Sequence, residues 1–184
     1  MTRGHELWLV SRSAGVVALL LVATSVLIGL TLAAGLGGPP QRRRALVAVH
    51  EQTALAALIA IVVHGVELLG DGFLEPGVAG IAIPFVIDYR PAFVAAGIIS
   101  GYLAAFLGLS FYARRRIGGK RWRKLHRATP LVYVLGLIHT LGAGTDAGST
   151  WLRAFMLATT VPAVALLLAR LTKKPARKPK GATA

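Results

Sequence analysis

The sequence predicts an all-α integral membrane protein, a helical bundle of about five transmembrane helices. Three observations carry that expectation. Of 184 residues, 55% are hydrophobic and the mean hydropathy is +0.65, too apolar for an ordinary soluble domain. The apolar residues fall into runs of about 20, the length that crosses a hydrocarbon core. The net charge of +14 is concentrated between those runs, where charge sets membrane topology rather than recruiting nucleic acid. No aromatic interleaving or folded module accompanies the basic residues, so no nucleic-acid partner is expected. The chain has no cysteine, which excludes disulfides, thiolate metal sites and iron–sulfur clusters.

Taken in order, residues 1–13 form a polar leader containing His5, expected to be exposed. Span 1 is "AGVVALLLVATSVLIGLTLAAGL" (14–36), stopped by "GGPP". Its apolar run is too long for a signal-peptide core, and Arg42, Arg43 and Arg44 follow closely, so it is expected to stay in the membrane. Span 2 runs over about 45–69, span 3 over about 92–113, span 4 over about 125–143 and span 5 over about 152–170. The stretch "PGVAGIAIPFVI" (76–87) is apolar but short and holds Pro76 and Pro84, which favours an interfacial or re-entrant segment over a sixth span. Gly97, Gly101 and Gly108 in span 3 suit close helix contact. Residues 172–184 form a basic, disordered tail suited to touching anionic lipid.

Orientation follows from charge. "QRRR" (41–44), "RRRIGGKRWRK" (114–124) and "TKKPARKPK" (172–180) share one side of a five-span chain, which the positive-inside rule makes the cytoplasm. Glu67, Asp71, Glu75, Asp88 and Asp146 fall on the other side. The N-terminus is then outside and the C-terminus cytoplasmic, in what is expected to be a bacterial inner membrane.

Four of the five histidines, His50, His64, His126 and His139, lie in spans 2 and 4. Ionisable residues inside a membrane are rare and usually functional. His50 and His64 are fourteen residues apart, a rise of about 21 Å that returns within about 40° of the same helix face. His126 and His139 are thirteen apart, a rise of about 20 Å. Spans 2 and 4 run in the same direction, so His50 shares a level with His126 and His64 with His139. Two levels, each with one histidine from each helix, form the layout of two stacked bis-histidine haems; imidazole is a good axial ligand, and two per iron favour electron transfer over oxygen binding. One detail does not fit: thirteen residues of ideal helix leave His126 and His139 about 140° apart. Pro130 lies between them and is the expected repair. Zinc or another transition metal needs several ligands within a few ångströms of one ion, which these spacings do not offer along one helix.

"HEQTALAALIAIVVH" on one span, and "GKRWRKLHRATPLVYVLGLIH" two spans later, resemble the ferric reductase-like transmembrane domain. That superfamily includes ferric reductases, NADPH oxidases and the haem-binding subunit of the bacterial periplasmic methionine sulfoxide reductase system. The resemblance covers about residues 40–145 well and the rest loosely. It implies that 14–171 is a haem-binding membrane domain in which the four histidines are axial iron ligands to two b-type haems, His50 with His126 and His64 with His139. Larger members carry a cytoplasmic domain for FAD and NAD(P)H after the last span. This sequence shows no GxGxxG, so the expected role is an oxidoreductase component, fed by a separate cytoplasmic or membrane donor, a flavin reductase or quinone, and discharging to an external acceptor. The rival reading is a non-redox membrane protein that uses its histidines for metal transport or anchors a partner.

Other candidate residues are secondary. Haem propionates want cations: Arg43, Arg44, Arg116, Arg123 and Arg127 lie near the inner level, and Arg90 and Arg153 near the outer one, where cations are few. Tyr133, seven residues after His126, falls on nearly the same face midway to His139 and could sit between the haems, although packing also explains it. Glu67 lies one turn beyond His64. No nucleophile–base constellation, phosphate loop or paired catalytic carboxylates appears.

Overall fold

The computed structural model describes residues 3–172, all helix, turn and loop with no strand among them. The basic-tail expectation therefore lies outside the described residues except for Thr172. Eight α-helices follow in order: α1 (Arg3–Ala33), α2 (Pro40–Glu67), α3 (Gly77–Ala82), α4 (Pro91–Leu109), α5 (Arg114–Ile117), α6 (Gly119–His126), α7 (Thr129–Ala143) and α8 (Thr150–Thr172). A 3-10 turn, Leu68–Gly70, extends α2. The fold is the all-α membrane bundle that the sequence predicts. Four helices are long and apolar enough to cross a membrane: His5–Ala33, Pro40–Gly70, Pro91–Leu109 and Thr150–Arg170. The fifth expected crossing is α7, whose 15 residues fall short of a full core thickness unless α6 adds to its length. The stretch 76–87 holds only the six-residue α3, tied down where the Tyr102 hydroxyl donates to the Ala82 carbonyl at 2.7 Å.

Helix α1 begins at Arg3, well before residue 14, and runs through most of the expected leader. Within that stretch the Arg12 guanidinium forms an ion pair with Asp146 in the α7–α8 loop, with Nε donating to Oδ2 at 2.6 Å. A charge near a helix end that meets its partner can sit close to the apolar zone at small cost. The same contact holds the Asp146 carboxyl below its ordinary range, through the hydrogen bond from Arg12 first and its charge second. His5 is exposed and stacks on Trp8 at 5.6 Å.

Helices α1 and α2 pack as one long hairpin, and α4 and α7 pack as a second pair. Helix α8 lies against α1, which also reaches α7. The core is built there: Leu19, Ala23, Val26 and Leu30 of α1, Tyr133 of α7, and Leu152, Met156 and Ala163 of α8. Leu152 is fully enclosed. Helix α1 is thus the central strut of the bundle. Helix α2 meets α4 where Ile61 reaches Gly101 and Leu58 reaches Gly108, but α2 and α7 have little direct contact. The histidines face one another across the gap between α2 and the α6 and α7 helices.

Helices α6 and α7 are separate, with the break at Arg127–Ala128. Pro130 explains it. Proline has no N–H, and its ring clashes with the carbonyl four residues back, which here belongs to His126. That carbonyl is capped instead by the Thr129 hydroxyl at 2.5 Å. The phase mismatch of a continuous helix through His126 and His139 consequently does not arise: the two residues belong to different helices.

Candidate functional site

The structure brings the four histidines together two by two. His50 and His126 have ring centroids 6.0 Å apart at an interplanar angle of 86°. His64 and His139 stand 6.1 Å apart at 70°. The first pair lies toward the basic end of the bundle, with Arg42–Arg44 and the α5–α6 segment; the second lies toward the acidic end. Among the described residues no three His, Cys, Asp or Glu side chains converge on one point, so the donors form two separate pairs and no zinc-type cluster.

Two features fit these pairs to axial ligation of a haem iron. The first is distance. A metal–imidazole bond of about 2 Å plus about 1.1 Å from nitrogen to ring centre, taken on both sides of one metal, separates two ring centres by about 6.2 Å. The observed separations come within a few tenths of that. The second is the state of the other ring nitrogen. His50 Nδ1 is 2.8 Å from the Ser25 carbonyl, His64 Nδ1 is 2.8 Å from the Ser11 carbonyl, and His139 Nδ1 is 3.0 Å from the Phe93 carbonyl. A carbonyl only accepts, so each Nδ1 carries the proton, and the lone pair available for a metal is on Nε2. Holding the back nitrogen this way is how proteins orient ligating histidines.

Glycines make these contacts possible. A Cβ on Gly97 would lie 2.5 Å from His139 Nδ1, one on Gly15 would lie 2.9 Å from His64 Nδ1, and one on Gly29 would lie 3.2 Å from His50 Cε1. Gly97, which the sequence marks as a helix-packing residue, is therefore also the seat of an imidazole. His126 is held differently. It ends α6, stacks on Trp122 at 4.9 Å and 25° and faces the Leu107 carbonyl, while among the described residues neither its Nδ1 nor the Trp122 Nε1 makes a hydrogen bond of normal geometry.

A family described as ferric reductase like transmembrane component matches residues 14–137. The chain belongs to that family. The matched stretch contains His50, His64 and His126 and ends two residues before His139, so the geometry, not the match, is what sets His139 beside His64. No solved structure matches the chain.

The remaining candidates fall elsewhere. Tyr133 is 3% exposed, and its hydroxyl meets Thr159 Oγ1 at 2.6 Å and Thr160 Oγ1 at 3.0 Å, so it fastens α7 to α8. Arg90 adopts a left-handed conformation (φ 45°) at the start of α4; its guanidinium donates to the Gly142 carbonyl near the end of α7 and lies over Tyr89. Arg153 Nε donates to the Ala147 carbonyl at 2.7 Å. Arg43, Arg44, Arg116, Arg123 and Arg127 are all exposed, as topology-setting charges are. What sequence reasoning missed is Ser11 and Ser25. Both are buried, and each places its hydroxyl about 3 Å from a histidine Nδ1: Ser11 Oγ at 3.1 Å from His64 and Ser25 Oγ at 3.0 Å from His50.

Proposed function

We propose that this chain is a transmembrane di-haem b-type cytochrome, an electron-transfer component of the ferric reductase-like kind. The observation that carries the reading is the pair of His–His contacts, at 6.0 and 6.1 Å, joining α2 to α6 at one level and to α7 at the other, where these helices otherwise scarcely touch. Haem bound at each level supplies a one-electron Fe(III)/Fe(II) couple. His50 with His126, and His64 with His139, would hold its iron. The backbone carbonyls of Ser11, Ser25 and Phe93 fix the tautomer and aim Nε2; the apolar walls of α1, α2 and α4 keep water away. Arg90 and Arg153, near the acidic end, are proposed partners for propionates there.

The test is spectroscopic. Purified protein should show reduced b-type bands, and a pyridine haemochrome assay should give two haems per chain. One haem would leave one level empty, and a colourless protein would favour the metal-transport or partner-anchoring alternative.

The proposed traffic runs from a cytoplasmic or membrane donor, a flavin reductase or quinone, to an acceptor outside, with the basic end cytoplasmic in a bacterial inner membrane. The chain has no cysteine, so Gly72→Cys and Gly118→Cys can be probed in intact cells with an impermeant thiol reagent. Labelling is expected at position 72 alone; labelling only at 118 would invert the orientation.

A further inference from the structure

Helix α1 carries the same device twice. Ser11 and Gly15 are four residues apart, as are Ser25 and Gly29, and the two units are fourteen residues apart, the spacing of His50 and His64 on the antiparallel α2. At each unit the serine carbonyl accepts from a histidine Nδ1–H. The serine hydroxyl donates to that histidine's own carbonyl, at 2.8 Å for Ser11 to His64 and 3.4 Å for Ser25 to His50, and its oxygen faces the same Nδ1–H. The glycine one turn later leaves the imidazole room to come this close. Neither serine is needed to complete the helix, since a serine favours a helix interior less than alanine does.

We propose that Ser11 and Ser25 are positioning residues that orient His64 and His50 and set the electron-donating strength of each as an iron ligand, so that α1 tunes the two haem levels independently. This rests on the di-haem reading. An acceptor on Nδ1–H makes the imidazole a stronger donor through Nε2, which stabilises the oxidised iron and lowers its midpoint potential. Losing the hydroxyl weakens that effect, so the midpoint of the affected level should rise.

The experiment is a redox titration with haem quantification on the full-length protein carrying Ser11→Ala, Ser25→Ala or the hydroxyl-keeping Ser11→Thr and Ser25→Thr. Ser11→Ala is expected to raise only the potential of the His64/His139 level, by about tenfold in the oxidised-to-reduced equilibrium, which is about 59 mV for one electron. Ser25→Ala should do the same only at the His50/His126 level, and the threonine variants should stay closer to the parent. The two levels are assigned from His139→Ala and His126→Ala, each of which leaves the other haem. Loss of the one matching haem in an alanine variant also supports the proposal. Two haems bound with both midpoints unmoved, or equal shifts at both levels from either serine, would overturn it. A parent protein without haem fails at the earlier step, and that outcome overturns the di-haem reading itself.

Discussion

At the acidic end of the bundle, both histidines project from within continuous helices, and both hand their Nδ1 proton to a backbone carbonyl, Ser11 for His64 and Phe93 for His139. Each also rests against a glycine, Gly15 and Gly97. At the basic end only His50 is held in this way. Its partner His126 is the last residue of an eight-residue helix, before the break that Pro130 imposes, stacked on a tryptophan ring and facing the Leu107 carbonyl without a well-formed hydrogen bond. The acidic-end pair is therefore held on both sides by well-formed hydrogen bonds, whereas the basic-end pair has one jaw fixed in this way and one hinged jaw that its Leu107 contact holds less firmly. Ligands held by their own scaffold bind without an ordering cost; a hinged one pays it on binding.

The largest expected effect breaks the comparison at its root. His64→Ala/His126→Ala should remove both haems, one from each level, while His64→Ala/His139→Ala should match either of its single variants and keep about half the absorbance, because residues acting as one unit are not additive. Haem quantification after affinity purification decides it; additivity within His64/His139 would show that the pairing is wrong.

Next comes the seat of the fixed jaw. Gly97→Ala puts a Cβ 2.5 Å from His139 Nδ1, too close for the ring to stay, and should weaken haem retention at the acidic-end level about 10- to 100-fold. Gly29→Ala, with 3.2 Å to His50 Cε1, should sit at the low end of that range for the other level. Haem titration of the two apo-variants compares them, and equal losses would mean that the glycines do not seat the rings.

The smallest effect concerns the hinge. Pro130→Ala restores an N–H that the His126 carbonyl can accept and lets α6 run into α7, a continuous helix in which His126 and His139 stand about 140° apart. Partial loss of the basic-end haem signal alone is expected in low-temperature EPR. An unchanged spectrum would show that the break does not depend on the proline.

The bundle and the pairs could be read from spacing because they obey simple periodicities: runs of about 20 apolar residues, and two histidine intervals whose rises match. What spacing could not show is what depends on partners far along the chain. Residues 1–13 look like a polar leader, but Arg12 there has its partner Asp146 far along the chain, in the α7–α8 loop. Tyr133 shares a face with His126 on an ideal helix, but Pro130 ends that ideal helix before Tyr133 is reached, and the hydroxyl turns to Thr159 and Thr160. Serines within an apolar run pass unremarked, since a hydroxyl there can bond back to its own helix, as Thr24 and Thr31 do. The signal that would have found Ser11 and Ser25 is the repeated fourteen-residue interval on two neighbouring spans.

That shared interval also bears on how the chain enters a membrane. A histidine or serine carried alone into hydrocarbon leaves its polar atoms unsatisfied, at a cost of several kcal/mol for each orphaned group. Helices α1 and α2 are joined by a connection of only six residues, 34–39, and their two serines and two histidines bond across the hairpin to each other's backbone carbonyls as well as side chains. The two neighbouring helices are thus hydrogen-bonded as a unit and can partition together, delivering His50 and His64 already oriented to wait for the later helices that bring His126 and His139.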